Sequence, residues 1–312
     1  MADPWSGTIK GVSGAAAVVP GAAHWTRLPQ SGSLAPIMIE VRQLGQLIGA
    51  EVRGVDVKKL DGDCFATMYQ AWLNFNVLVV PGQELEIDEF LAYSRRFGRL
   101  LAHPSKSTRH PKYPELTMLG VDKWLPDGTL NMAIYLRGAE GWHTDGAYDE
   151  VSFKATQLYA VAIPSKGGDT YFASMYAAYD ALPAPLKERL EGRQGAFIYG
   201  GRQGRTALLD EQARSKPPVF HEIIRTHPET GRKGLYFDPG KILRIEGLEQ
   251  QQSDDLIDEL TERMIQPEAQ YRHVWHKGDI VIWDNRCSYH KAAGDYPPEE
   301  DRIHWRVSIA EG

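Results

Sequence analysis

His143 and Asp145 stand two residues apart in the run Trp142-His143-Thr144-Asp145-Gly146. Side chains alternate across a β-strand, so a short strand here would present an imidazole and a carboxylate on one face, to one metal ion. A third ligand is available from the run Trp283 to His290, which His290 closes. Two histidines and one carboxylate, with coordination positions left open, suit non-heme iron(II) that activates oxygen. Downstream of the two clusters lie Thr170 and Arg302, a hydroxyl and a guanidinium of the kind a 2-oxo-acid cosubstrate needs. Such an acid can take two open positions through its C1 carboxylate and keto oxygen, leaving the last for oxygen. Its far carboxylate then calls for a cation, and arginine's planar fork gives two parallel charge-assisted bonds.

The HxD pattern alone is one that chance supplies often. Here it sits among ordered blocks: LIGAEVRGVDV at 47–57, VLVVPGQ at 77–83, RRFGRLLAHP at 95–104, WHTD at 142–145, GGDTYFAS at 167–174, RTHPETGRKGLYF at 225–237 and GDIVIWDNRCSYHKAAGDY at 278–296. From about Ile39 to Ile309 the chain resembles the taurine/2,4-dichlorophenoxyacetate dioxygenase family of Fe(II)- and 2-oxoglutarate-dependent enzymes. The resemblance implies a double-stranded β-helix (jelly-roll) core. It implies His143, Asp145 and His290 as catalytic metal ligands, and Arg302 with Thr170 on the 5-carboxylate of 2-oxoglutarate. Arg302 follows His290 by twelve residues, one more than is usual in the family; Pro297-Pro298-Glu299-Glu300-Asp301 carries the extra residue. A surface pairing of Arg302 or Arg306 with those acids is the bland alternative.

On the substrate side, His103 in its His-Pro step and Arg306 match the family's sulfonate-binding pair. Gly146 and Tyr148 follow the HxD where the family carries a different run, so a charged substrate end is kept while the rest differs. A buried arginine needs a counter-anion. Past Asp145 only Asp149 of that run could supply one, so Arg306 argues for an anionic substrate: a sulfonate, sulfate ester or carboxylate. The implied reaction is hydroxylation with release of succinate and CO2; a hydroxylated carbon bearing sulfonate, sulfate or aryloxy would then collapse. Asp145 disfavours halogenation, which needs a small residue there. Two rivals are a cupin-like zinc hydrolase on the same ligands and a non-catalytic small-acid-binding relative.

At 312 residues, with 42% hydrophobic and 24% charged content, the chain fits one large globular domain. The net charge of −6 argues against a general nucleic-acid binder. Two cysteines, Cys64 and Cys287, make no disulfide framework and suit a reducing, cytoplasmic setting. No apolar run reaches the ~18–20 residues of a membrane span. The expected partner is a small molecule, with a homo-oligomer open. Residues 1–37, rich in Ala, Gly, Ser and Pro, read as a disordered leader to a single domain over 38–312.

The elements that must position these residues read as mainly β with inserted helices. Strands are expected over 39–44, 51–57, 77–80, 116–120, 156–163, 170–173, 272–275, 279–283 and 305–309. Helices are expected over 63–74, 87–97 and, interrupted by prolines, 175–190. Ser253 should cap a helix over 253–265. Residues 222–226 and 234–237 read as a hairpin around Pro228-Glu229-Thr230-Gly231, with His227 ordering the turn. Gly167-Gly168 reads as a tight turn before Thr170, and Asp284-Asn285 as the turn that aims His290. Gly200–Pro218, with Arg202 and Arg205, is a lid candidate. Trp142, Trp283 and Trp305 read as core or wall residues.

Overall fold

The computed structural model describes residues 26–28, 39–102, 109–121, 141–203 and 217–311. Among them, a nine-stranded sheet runs in the order β1 (Thr26–Leu28), β2 (Ile39–Gln43), β3 (Ala50–Arg53), β4 (Val77–Val80), β15 (Ile280–Asp284), β7 (Phe153–Ala162), β17 (Ile303–Ala310), β5 (Leu100–Leu101), and β6 (Thr117–Leu119) also pairs with β17. A three-stranded sheet is ordered β14 (Gln270–His273), β8 (Thr170–Ser174), β16 (Ser288–Ala292). A second has the order β10 (Val219–Glu222), β9 (Gln194–Phe197), β13 (Ile242–Ile245), and β11 (Ile224–Thr226) pairs with β12 (Lys233–Leu235). The expected mainly-β class with inserted helices is what the chain adopts.

Period-two alternation sorts the large sheet's side chains into two layers. Leu78, Val80, Ala155, Tyr159, Ile280, Ile282, Val307 and Ile309 pack on one face against helices α1 (Gly62–Phe75) and α2 (Ile87–Arg95). Val77, Val79, Leu158, Ala160, Val281 and Trp283 face the other way, onto Phe172 of β8 and Trp275. The space between the large sheet and β14-β8-β16 is the inner face, where the candidate site lies. Both helices start on side-chain caps: Asp61 accepts from Cys64 N at 2.7 Å, and Glu86 and Glu89 form a capping box. Among the described residues no helix is long and apolar enough to cross a membrane.

Several expectations need correction. Residues 143–145 are not a strand: His143 makes a single antiparallel bridge to His290, and the chain then turns at 145–148, with Gly146 at φ +77°. The helix expected from Ser253 begins three residues earlier, at Gln250, and runs to Arg263. Ser253 lies inside it, and its hydroxyl accepts from Ile245 N at 2.8 Å, tying the helix to β13. Strands β5, β9, β10, β13 and β16 are not among the expected ones. The expected hairpin forms as β11 and β12. Most of the 1–37 leader lies outside the described residues; within it, Thr26–Leu28 pairs with β2. Of the lid candidate, 204–216 including Arg205 lie outside. Arg202 pairs with Asp254 and Asp258 on helix Gln250–Arg263.

Candidate metal centre and cosubstrate corner

The bridge between His143 and His290 is reciprocal: His290 N donates to His143 O at 2.9 Å and His143 N to His290 O at 3.1 Å. Directly opposed residues of an antiparallel pair project to the same face. The two imidazoles therefore stand with ring centroids 4.1 Å apart. The turn after His143 swings Asp145 back, so that Asp145 Oδ2 lies 3.7 Å from His290 Nε2. One potential ligand atom from each of the three residues lies within 4.8 Å of the others. The expected convergence occurs, though a bridge and a turn produce it rather than a strand.

Each of the three is held by further contacts. His143 Nδ1 lies 2.9 Å from Gly141 O; a proton there leaves Nε2 with its lone pair. His290, on β16, points inward beside Phe172 and Trp283. Burial and then the neighbouring His143 push its pKa well below the usual imidazole range, so it is neutral, as a metal ligand must be. Burial pushes the Asp145 carboxyl up, but Arg306, His290, His143 and the Thr156 hydroxyl together hold it well below the carboxylate range. A directed chain of donors ends on it. Trp283 Nε1 donates to Asn285 Oδ1 at 3.0 Å, Asn285 Nδ2 to Thr156 Oγ1 at 2.9 Å, and Thr156 Oγ1 to Asp145 Oδ2 at 2.7 Å. Thr144 is tied by its hydroxyl to Asn285 O at 2.8 Å and by its N–H to buried Asp238 at 3.3 Å. Two imidazoles beside a fixed carboxylate fit a divalent transition metal.

A second cluster, His227, Asp284 and Cys287, also brings three possible ligands together. Its groups are already used. His227 Nδ1 accepts from Glu229 N and Thr230 N at 3.2 and 3.1 Å, its Nε2 meets Asp284 at 3.0 Å, and Arg286 clasps Asp284 from Nε and Nη2. That cluster fastens the hairpin turn to the start of the 284–288 turn. His227 thus orders its turn as expected, and Asp284 knits the turn leading to His290. Asn285 does more, reaching Asp145 through Thr156.

The second expected pair also meets. Arg302 Nε donates to Gly168 O at 2.7 Å, and its Nη2 lies 3.4 Å from Thr170 Oγ1. Gly167 and Gly168 form the expected turn, at φ +69° and +74°; a Cβ on Gly168 would sit 3.0 Å from Arg302 Cδ. Trp275 Nε1 also donates to Thr170 Oγ1, at 3.0 Å. With two donors already aimed at that oxygen, the hydroxyl proton is left to point elsewhere. Burial lowers the pKa of Arg302 to about 10, which leaves it charged at neutral pH. Among the described residues it makes no ion pair; the surface pairing with 299–301 is not what its guanidinium does. Thr170 and Phe172 share one face of β8, and Phe172 is paired with His290, so this corner adjoins the metal centre.

Arg306 has a partner within the protein that was not expected: its Nη2 lies 2.9 Å from Asp145 Oδ1. The alternation of β17 explains this: Trp305 and Val307 face the helices, which turns Arg306 inward toward the site. Tyr148 stands near, edge-on to Tyr199 with Lys241 beyond. Gly146 is required by the turn, since a Cβ would meet the Phe153 ring at 2.6 Å. His103 lies outside the described residues. Trp283 and Trp305 lie in or against the packed core, and Trp142 packs against it beneath Lys291.

Comparison with known proteins agrees with this geometry. The family model described as taurine catabolism dioxygenase TauD, TfdA family matches residues 40–308. The chain belongs to the TauD/TfdA family. Over 288 residues it is 34% identical to an (S)-phenoxypropionate/alpha-ketoglutarate-dioxygenase of Sphingobium herbicidovorans, covering 87% of this chain and 94% of that one. Among TauD/TfdA-like structures, a taurine dioxygenase from Burkholderia xenovorans superposes with a TM-score of 0.73 at 29% identity, over 88% of this chain and 91% of its own. AAD-2, solved with Mn(II) and N-oxalylglycine, gives 0.73 at 27% identity, over 88% and 98%.

Proposed function

We propose that this chain is an iron(II)- and 2-oxoglutarate-dependent dioxygenase that hydroxylates a small anionic organic molecule. The observation that carries the reading is the adjacency of two arrangements on one inner face: His143, Asp145 and His290 within 4.8 Å of one another, and Arg302 with Thr170, which lies two residues along β8 from Phe172, the cross-strand partner of His290. The two facing sheets around them support a double-stranded β-helix core. His143 Nε2, His290 Nε2 and an Asp145 oxygen would hold the metal. Arg302 and Thr170 would take the far carboxylate of 2-oxoglutarate. When bound there, iron and the 2-oxo acid with oxygen supply the oxidant that removes hydrogen from a substrate C–H bond.

The protein's own share is positioning. The Trp283–Asn285–Thr156 chain orients Asp145. Gly141 O fixes the His143 tautomer. Phe172 and Trp283 wall His290 from water. Arg306 faces the metal centre with a five-donor fork of which one nitrogen meets Asp145. Its remaining N–H groups, with Tyr148 and His103, are the proposed contacts for an anionic substrate. The test is succinate release, with iron(II) and 2-oxoglutarate supplied, across sulfonates, alkyl sulfates and aryloxyalkanoates. At least one anionic class should couple turnover to succinate; no coupling with any of them, and none with neutral analogues, would defeat the proposal.

A further inference from the structure

β17 turns three nitrogen-bearing side chains inward: Arg302 just ahead of the strand, then His304 and Arg306. Arg302 meets Gly168 and Thr170, and Arg306 meets Asp145. His304 has no such contact. It is 0% exposed, and neither ring nitrogen has a hydrogen-bond partner. A buried polar group without a partner is destabilising, and a phenyl ring would fill the same space without that cost. The residue opposite on β7 is Ala160, whose methyl leaves the imidazole room.

The surroundings of the ring indicate what it meets. Its centroid lies 4.5 Å from that of Trp275, at an interplanar angle of 71°. Trp275 is the indole that donates to Thr170 Oγ1. His304 thus stands behind the corner where Arg302 and Thr170 come together. Burial, then the Arg302 charge and His273, push its pKa well below the usual value. It is a neutral imidazole with one N–H to give. Close by are a guanidinium without a carboxylate partner among the described residues and a hydroxyl whose proton is free. A cationic donor and a free hydroxyl at this corner suit a carboxylate, which can accept about four hydrogen bonds, and the unpaired imidazole lies just behind them, against Trp275.

We propose that His304 is a third donor, beside Arg302 and Thr170, to the distal carboxylate of the 2-oxo acid, and that it sharpens selection of 2-oxoglutarate over 2-oxo monocarboxylates. The inference rests on the dioxygenase reading above. A monocarboxylic 2-oxo acid could still chelate the metal but would leave all three donors unanswered.

The test is calorimetric binding to the Mn(II)-loaded protein, with no turnover required. N-oxalylglycine carries the distal carboxylate and pyruvate lacks it. In His304→Phe, N-oxalylglycine should bind about tenfold more weakly or worse, as expected for losing a hydrogen bond to a charged group. His304→Gln, which restores an N–H, should stay within about threefold of wild type on the same scale. Pyruvate should bind all three proteins alike. Equal N-oxalylglycine affinity in wild type and His304→Phe overturns the proposal, and so does a matching loss for pyruvate, which would mark a merely structural role. A wild type that binds neither ligand would instead defeat the dioxygenase reading. Should His304→Phe not fold, the 15N imidazole signal of His304 in Zn(II)-loaded wild type decides. It should shift with N-oxalylglycine and not with pyruvate; no shift with either overturns the assignment.

Discussion

Replacing Thr156 by Val tests whether the donor chain behind Asp145 sustains the metal centre. The side chain is fully buried, and Val keeps its shape. Two hydrogen bonds disappear: the 2.7 Å donation to Asp145 Oδ2 and the 2.9 Å acceptance from Asn285 Nδ2. Leaving the Asn285 amide unpaired costs about 1–3 kcal/mol of stability. The effect on metal binding has a different origin. Asp145 is held between Thr156 on Oδ2 and Arg306 on Oδ1. Without the hydroxyl, the carboxylate is free to turn toward Arg306, and the ligand atom leaves the two imidazoles. Loss of a group that orients a metal ligand typically weakens metal affinity about 10–100-fold. Mn(II) titration, alongside urea unfolding of the metal-free protein, separates the two effects. Thr156→Val should lose both stability and affinity, and Thr156→Ser should recover most of each. Wild-type Mn(II) affinity in a folded Thr156→Val protein would refute the orienting role, even if stability fell.

Four further outcomes are expected. Asp145→Ala should abolish 2-oxoglutarate-coupled turnover and Mn(II) binding; substantial residual coupling would show that the carboxylate is not a ligand. Arg302→Ala should raise the KM for 2-oxoglutarate steeply, since truncating one partner of a buried charged pair costs about 2–5 kcal/mol, while Arg306→Ala should act on KM for the organic substrate and on kcat. An unchanged 2-oxoglutarate KM in Arg302→Ala would move that role to another residue. The metal-free protein should lose stability in acid partly through His304: its folded pKa is depressed, so below about pH 6.5 the unfolded chain binds a proton that the native state does not. That contribution is complete above about pH 6.5 and is lost as pH falls, so between pH 7 and 5.5 wild type should lose about 1 kcal/mol more than His304→Phe by urea unfolding.

The candidate metal ligands His143, Asp145 and His290 were legible because such chemistry restricts residue type and because HxD is local. Thr170 and Arg302 were legible through the motifs around them, and the extra residue in 297–301 did not displace Arg302. The strand expected to carry His143 and Asp145 was not there; a single reciprocal bridge to His290 and a glycine turn do its work. β16 was hidden because Asn285-Arg286-Cys287-Ser288 breaks the apolar rhythm ahead of His290. Thr156 left a faint signal, a hydroxyl at a position where the inner-face neighbours Leu158 and Ala160 are apolar. Asp238, 94 residues from the Thr144 N–H it accepts from, left none. The Arg306–Asp145 pair is hidden for a different reason: one carboxylate serves two partners, and the HxD pattern signals only the metal.

The most direct measurement of the central claim is stoichiometry in one reaction vessel: oxygen consumed, succinate formed and substrate oxidised, with iron(II) and 2-oxoglutarate present or omitted. The account predicts one succinate per oxygen consumed, equal hydroxylated or cleaved product with an accepted anionic substrate, and loss of all three in Asp145→Ala. Product formed with zinc in place of iron, without 2-oxoglutarate and without oxygen uptake, would contradict it and identify a metal-dependent hydrolase instead.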